Sequence, residues 1–325
     1  MHHFLFEFIT GGGLSGQLLP ESLAHEGELM LEALLLDLIR AGHTNISLTR
    51  DAGLKPLDNC VTQHIVDADI KGRLSKIVKK GDVVWLIAPE TDDCLASYAD
   101  FFINQGCLLI ASSVDSIRLT SSKMLTFQHL KEANIETIET CYLYDPIPAS
   151  DHGWIIKPDD GAGAENCYFF YDIDELNEFI SGNNKNNYLI QPFIPGKHMS
   201  MSFIAYQGKA RLLACNQQYI EIENEKLKLI AVGINECLDC LKPLSELADH
   251  IAHSIPGLAG YVGVDLIMHD KRFSIVEINP RFTTAYVGLS TSLGINVADT
   301  IFNVFQSKYL PEIDISSASP MRIDV

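Results

Sequence analysis

Residues 273–281 read FSIVEINPR, and residues 261–268, about a dozen positions earlier, read YVGVDLIM. Two apolar strands this close in sequence form a hairpin, with Asp265 on one strand and Glu277 and Asn279 on the other. Glu277 and Asn279 are two apart and so share a face. Two carboxylates and an amide oxygen inside otherwise apolar segments make an oxygen-only ligand set suited to Mg²⁺. Without a cation, Asp265 and Glu277 would repel each other in a poorly solvated place. An isolated pair of this kind more often faces solvent on an amphipathic hairpin, so the weight falls on its neighbours along the chain.

Three stretches supply them. Lys157 ends the strand WIIK and is followed by PDDGAGAEN, a turn containing Gly161 and Gly163 whose backbone N–H groups can lie over phosphates. Lys123 begins a helix after two serines, near a positive helix end, and can hold phosphate oxygens as well. YLIQPFIPG, residues 188–196, is an apolar strand whose exposed backbone can read an adenine edge, with Phe193 and Ile194 at the hinge. Taken singly these are a surface lysine, an ordinary turn and a core strand.

Near the amino terminus, Gly11, Gly13 and Gly16 in GGGLSG satisfy the G-x-G-x-x-G spacing of a dinucleotide-binding turn. That chemistry needs a helix opening inside the glycine run, so that its N–H groups meet the pyrophosphate. The next helical stretch is PESLAHEGELMLEALLLDLIRAG, with Pro20 in its first turn and Gly42 past its end. The loop between, Gly12 to Leu19, is too long, and no acidic residue ends the second strand about 20 positions on. A nicotinamide oxidoreductase is therefore the weaker reading, and the glycines form a strand-to-helix loop.

A chain of 325 residues accommodates two or three domains with a sizeable core. The formal net charge of −18 argues against nucleic acid or an anionic membrane surface as partner. The longest apolar stretches fall well short of the about 18 residues needed to span a bilayer, and HHFLFEF lacks a preceding basic region, which points to the cytoplasm. Of the 8 cysteines only Cys237 and Cys240 form a C-x-x-C. One such pair without nearby histidines is weak for zinc, and reduced structural thiols are expected. No H-E-x-x-H or G-x-S-x-G stretch appears among the residues.

Along the chain, FLFEFI, NISLT, DVVWLIAP and LLIAS alternate with helical segments, predicting a four-stranded parallel α/β domain over 1–111. Its third strand ends in APETDD, at the carboxyl edge where such sheets bind ligands. Residues 112–135 read as a polar loop and then an amphipathic helix. Strand segments WIIKP, CYFFY, YLIQPFI, SMSFIAY, ARLLACNQQYIEI and KLKLIAVG follow, then a helix at LSELADHIAHSI, the hairpin, and a final helix around NVADTIFNVFQSKYL. The tail ISSASPMRIDV is left open between an ordered segment and a mobile end.

The order of Lys123, Lys157 with GAGAEN, QPFIPGKHMS, GVDLIM and VEINPRF resembles the ATP-grasp superfamily of carboxylate-amine ligases, over residues 112 to about 305. The resemblance implies α/β and α+β architecture: a pre-ATP-grasp domain over 1–111, then a two-subdomain ATP-grasp fold with a small subdomain over 112–195 and a large one over 196–325. It implies ATP between the subdomains, Lys123 and Lys157 on its phosphates, and residues 191–194 at the adenine. Asp265, Glu277 and Asn279 would bind two Mg²⁺ ions, with Mn²⁺ as an alternative, and Arg281 would hold the transferring phosphoryl group. Gln191 stands where family members often carry an acidic residue toward the adenine amino group, and its carbonyl can still accept that bond. His198 stands where Glu commonly contacts the ribose hydroxyls, a departure from the family pattern. Within the superfamily, FEFITGGG, LPESLAHEGELMLEALLLDL and KPDDGAGAE resemble the tyramine–glutamate ligases of methanofuran biosynthesis, which would put GGGLSG on the substrate side.

These expectations add up to an ATP-dependent ligase that joins a small-molecule carboxylate and an amine through an acyl phosphate. Glu165, Glu26 and Glu28 are candidates to orient the amine and accept its proton, with a solvated helix face as the competing and commoner role for Glu26 and Glu28. The rival readings are an amino-acid or peptide ligase of the same superfamily and a catalytically silent nucleotide-binding regulator. Oligomeric state, a homo-oligomer included, is left open.

Overall fold

The computed structural model describes residues 1–58, 61–161, 166–182, 187–223 and 226–325. Its first sheet is parallel, with β1 (His3–Glu7), β2 (Ile46–Asp51), β3 (Thr62–Val66), β4 (Val83–Ile87) and β5 (Leu108–Leu109) in the order β3-β2-β1-β4-β5. The strand β3 is a correction to the four strands expected from sequence. It is an edge strand with the burial of only Val66 complete, so TQHIV lacks the continuous apolar run of a covered strand.

The side chains of β1 divide by period 2. Phe4 and Phe6 join Tyr98 and Phe102 on one face, beside α2 (Ile70–Ile77) and α3 (Cys94–Asn104). Leu5 joins Leu31, Leu34 and Leu38 of α1 (Glu21–Arg40) on the other. Pro20 stands in extended conformation just ahead of α1 rather than in its first turn, as expected of a residue that fixes φ without donating an N–H.

The glycine run forms a wide π-type turn, Ile9–Gly13. Gly12 has φ of 94°, and a Cβ on it would lie 2.7 Å from Val66, so glycine is required where the turn packs on β3. The helix opens at Glu21, eight positions beyond Gly13, and not within the run, as expected above.

Residues 112–135 hold two helices, α4 (Val114–Ser121) and α5 (Lys123–Glu132), where a loop and one helix were expected. Ser113 and Ser122 each cap the helix that follows by accepting from a backbone N–H, so the serines read as loop are helix starts. The second sheet contains β6 (Cys141–Tyr142), β7 (Trp154–Pro158), β8 (Tyr168–Phe170), β9 (Tyr188–Pro192), β10 (Lys197–Tyr206), β11 (Lys209–Glu223), β12 (Lys226–Ile234), β13 (Gly260–His269) and β14 (Arg272–Asn279). Among the described residues its order is β14-β13-β10-β11-β12-β8-β7-β9-β6, with antiparallel pairing throughout.

Helix α6 (Ile173–Gly182) covers the small group Trp154, Ile156, Phe170 and Ile190, and α7 (Leu241–Ser254) covers the long central strands. Helices α8 (Leu289–Leu293) and α9 (Val297–Ser307) follow the hairpin. The tail resolves as an ordered strand, β15 (Met321–Asp324), paired with β12.

One apolar core runs from Leu31 and Trp85 through Phe282 and Tyr286 to Ile301, so α1 and α9 join the first sheet to the second. Within that contact the buried Asp37 of α1 accepts from Tyr286 Oη at 2.7 Å and Ser290 Oγ at 2.6 Å. The described cysteines are free thiols, and Cys237 and Cys240 lie with Cys215 in the core beneath α7. Among the described residues no helix is long and apolar enough to cross a membrane.

Candidate active site

A cavity of about 500 Å³ opens where the carboxyl ends of β1 and β4 meet β7, β9 and the β13–β14 hairpin. That is the size of a small-ligand site. The hairpin pairs as its spacing predicts: Asp265 faces Glu277 and Gly263 faces Asn279, with a bulge between Asp265 and Leu266. All three polar residues line the cavity. Gly263 leaves room for the next loop, since a Cβ there would meet Thr283 at 2.7 Å.

The carboxylates differ electrostatically although they stand side by side. Burial and the adjacent Glu277 push the Asp265 carboxyl well above its usual range, despite the bond Gln218 Nε2 donates to it at 2.9 Å. Burial would raise Glu277 too, but Lys123 and Lys157 outweigh it and hold that carboxyl low. This is the pattern of two acids whose second charge awaits a counter-ion. Two half-buried carboxylates and the Asn279 amide oxygen, with a poorly ionised acid among them, fit a hard divalent cation.

Lys123 is the first residue of α5. Its Nζ donates to the Gly161 carbonyl at 2.6 Å and sits 3.3 Å from Glu277 Oε2. Burial alone would lower its ammonium, but Glu277 and Glu90 reverse that and keep it charged. Lys157 on β7 is lowered, by burial and then by Lys123, with Glu277 opposing. Asp159, two residues on, was missed by the sequence reading. Its carboxylate accepts from Ser122 Oγ and from the Met124 N–H, both at 2.8 Å, so the turn after Lys157 is pinned to the start of α5 and brings the lysines together. Gly161 lines the cavity; Gly163 and Glu165 lie outside the described residues.

At the other end are Gln191, Phe193, Ile194 and His198. Thr140 Oγ1 donates to the Ile138 carbonyl at 2.8 Å, so toward Gln191, also at 2.8 Å, it can only accept. This assigns the Gln191 amide: its NH₂ faces Thr140, and its carbonyl remains as an acceptor. The Phe193 N–H donates to the Gly153 carbonyl at 2.8 Å, so the backbone exposed to a ligand here excludes that group. Burial lowers the His198 imidazole, which favours its neutral form.

Arg281 is largely enclosed, and its Nε donates to both oxygens of Glu90 at 2.8 Å. Glu90 and Glu277 raise the guanidinium against the effect of burial. Glu90 belongs to the APETDD stretch at the end of β4, so the first domain supplies the anchor of an arginine carried by the hairpin's end. The stretch was legible as a ligand edge; its pairing across 191 positions was not.

The acidic candidates on α1 separate. Glu26 lines the cavity and accepts from Thr284 Oγ1 at 2.9 Å. Glu28 is a correction: it pairs with Arg50 Nη2 at 2.8 Å, because two positions along a helix turn a side chain away from its neighbour's face.

Residues 120–285 match the ATP-grasp domain and residues 44–117 match the pre ATP-grasp 3 domain. Among curated proteins the chain is similar to the tyramine–L-glutamate ligase of Methanocaldococcus fervens, at 28% identity over 298 residues that cover 88% of each chain. Among solved structures it is similar to an ATP-grasp superfamily protein from Archaeoglobus fulgidus, with a TM-score of 0.74, 23% identity, and coverage of 100% of this chain and 92% of that one. It is also similar to N5-carboxyaminoimidazole synthetase from Staphylococcus aureus complexed with ADP, with a TM-score of 0.72, 14% identity, and coverage of 99% and 81%. With the hairpin carboxylates, both lysines and the arginine on one cavity, and the domain match spanning more than half of the sequence, the chain belongs to the ATP-grasp family.

Proposed function

We propose that this ATP-grasp ligase joins a small-molecule carboxylate to an amine through an acyl phosphate. The reading rests on one observation: Lys123, Lys157, Asp265, Glu277, Asn279 and Arg281 share a single cavity that also reaches the carboxyl edge of the first sheet. Such an edge is where an open α/β sheet takes its ligand.

The adenine lies against Gln191, Phe193 and Ile194, with the Gln191 carbonyl accepting from its amino group and His198 beside the ribose. Lys123 and Lys157 lie along the phosphates beside Gly161. Asp265, Glu277 and Asn279 would hold two Mg²⁺ ions, or Mn²⁺, which would supply charge neutralisation at the phosphates. Lys123, which faces Glu277 Oε2 at 3.3 Å, would turn toward the phosphates.

The substrate carboxylate attacks the γ-phosphorus and ADP leaves, with Lys157 and the Glu90-anchored Arg281 offsetting the charge that spreads over the phosphoryl oxygens. The amine then attacks the carbonyl carbon, and inorganic phosphate departs to leave an amide. Enclosure matters here because an acyl phosphate open to water hydrolyses.

For the substrates we propose glutamate, activated on its side-chain carboxylate, and tyramine, giving γ-glutamyltyramine as in methanofuran biosynthesis, with the reaction in the cytoplasm. The likeness of FEFITGGG and LPESLAHEGE and the similarity to a tyramine–L-glutamate ligase support this. Incubation with Mg-ATP, glutamate and tyramine should release ADP and yield a product of the amide's mass. If another acid and amine give an amide while this pair does not, the ligase reading stands and the substrate pair is lost. ATP turnover independent of every acid and amine tried sinks both.

A further inference from the structure

We infer that Glu26 is the carboxylate that binds the ammonium of the attacking amine and takes its proton, and that the apolar wall beside it holds the amine's hydrocarbon body. The inference rests on the ligase reading and assigns a residue to its second half.

The amine in the proposed reaction arrives protonated, since an alkylammonium titrates near the lysine value of about 10.4. It needs an acceptor that is anionic, facing the cavity, and not already committed. Glu7 accepts from the Ile9 and Thr10 N–H groups and from Thr10 Oγ1, and lies so close under α1 that a Cβ on Gly27 would meet its carboxyl carbon at 2.7 Å. Burial raises its carboxyl, which further disfavours an anion there. Glu90 gives both oxygens to Arg281. Glu28 is paired with Arg50. Asp265 and Glu277 belong to the cation site. Asp92 is exposed at the rim, where its own N–H is tied to Asp160.

Glu26 remains. It is half-buried on the cavity-facing side of α1, and the one bond it accepts among the described residues, from Thr284 Oγ1 to Oε2, comes from the loop that also carries Arg281. Glu26 therefore stands at the seam between the first domain and the phosphoryl-transfer groups, where a nucleophile must sit. Its charge is felt at Arg281, whose guanidinium it helps to raise. Beside it the cavity wall is apolar, with Phe8, Leu14, Leu23, Met30, Ile87 and Pro89. Such a wall desolvates an apolar amine body and leaves the ammonium at the carboxylate.

The step balances as follows. The ammonium gives one proton to Glu26, the freed nitrogen lone pair forms the C–N bond at the acyl carbon, and the C–O bond to phosphate breaks. The second nitrogen proton leaves with the phosphate as hydrogen phosphate. Glu26 returns its proton to water.

The test compares two nucleophiles on the same acyl phosphate. Hydroxylamine is small and largely uncharged at neutral pH, so it traps the intermediate as a hydroxamate without an ammonium anchor. With Mg-ATP and glutamate, Glu26→Gln should lower the ratio of tyramine amide to hydroxamate at least about a hundredfold, within the range of a lost general base, and raise the KM for tyramine. Glu26→Asp should recover part of the ratio. Thr284→Val, which withdraws the hydroxyl that orients Glu26, should lower the ratio about threefold or more and serves if Glu26→Gln does not fold. An unchanged ratio overturns the assignment, as does a parallel fall with both nucleophiles, which would put Glu26 in phosphoryl transfer. Failure of the ligase reading shows in the parent protein: no hydroxamate forms from any acid, and the assignment falls with it.

Discussion

Glu277→Gln removes one charge from the centre of the site while keeping side-chain volume. At 3.3 Å from Lys123 Nζ, that charge interacts with the ammonium by about 5 kcal/mol at an effective dielectric constant of about 20. Much of this offsets the desolvation of two largely enclosed ions, so the interaction is a poor measure of fold stability. Lys123 also keeps its bond to the Gly161 carbonyl at 2.6 Å, and the substitution should cost about 1–3 kcal/mol of stability, visible as a lowered melting temperature of a still-folded protein. Catalysis is more sensitive. Glu277 is the acid that the two lysines keep ionised, whereas Asp265 is pushed toward its neutral form, so the variant loses the site's standing anion toward a divalent cation. Turnover measured by coupled ADP release should fall at least about a hundredfold, or about 2.7 kcal/mol of transition-state stabilisation. Activity within about threefold of the parent, in a preparation whose fold is verified by its melting curve, would refute the assignment of this hairpin as the metal site.

Three further outcomes follow from particular contacts. Glu90→Gln leaves the largely enclosed Arg281 guanidinium with a weaker partner and should lower kcat about tenfold or more with little change in the KM for ATP; a change confined to KM would mean that Arg281 binds nucleotide rather than the transferring group. Thr140→Val removes the acceptor that fixes the Gln191 amide, so the KM for ATP should rise about three- to tenfold and discrimination against inosine triphosphate should shrink, as kinetics with both nucleotides would reveal. The buried His3 is lowered from 6.5 to about 4, chiefly by burial and then by His43, so the unfolded chain takes up its proton first. Stability from this group is complete above pH 6.5 and lost as pH falls toward 4, by about 3 kcal/mol at most. His3→Asn keeps an acceptor for Trp85 Nε1 without titrating, and denaturant curves between these pH values should show a shallower decline than in the parent.

Much of this protein can be read from local sequence because the relevant signals are local. The strand pattern around VVWLI and KHMSMSFIAY needs only apolar periodicity, and the hairpin of Asp265 and Glu277 needs only a short connection and the two-residue repeat of a strand. GGGLSG was separable from a dinucleotide turn by the distance to its helix. Family resemblance, carried by the order of the motifs along the chain, added a shared role for Lys123 and Lys157 and brought in Arg281. The C-terminal strand Met321–Asp324 and the edge strand Thr62–Val66 escaped, since each is short and half-exposed and takes its extended form from the partner it pairs with.

What the tertiary structure alone decided is pairing between distant residues. Glu90 and Arg281 are 191 positions apart, Glu26 and Thr284 are 258 apart, and Gln191 is oriented by Thr140 across 51. Glu28 looked equivalent to Glu26 in sequence and was removed from the site by an arginine on β2. Side-chain type and spacing determine which groups a segment can offer. Which of them remain charged, unpaired and turned toward one cavity depends on burial and on partners brought in by the rest of the fold, and those energies do not exist until the chain is packed.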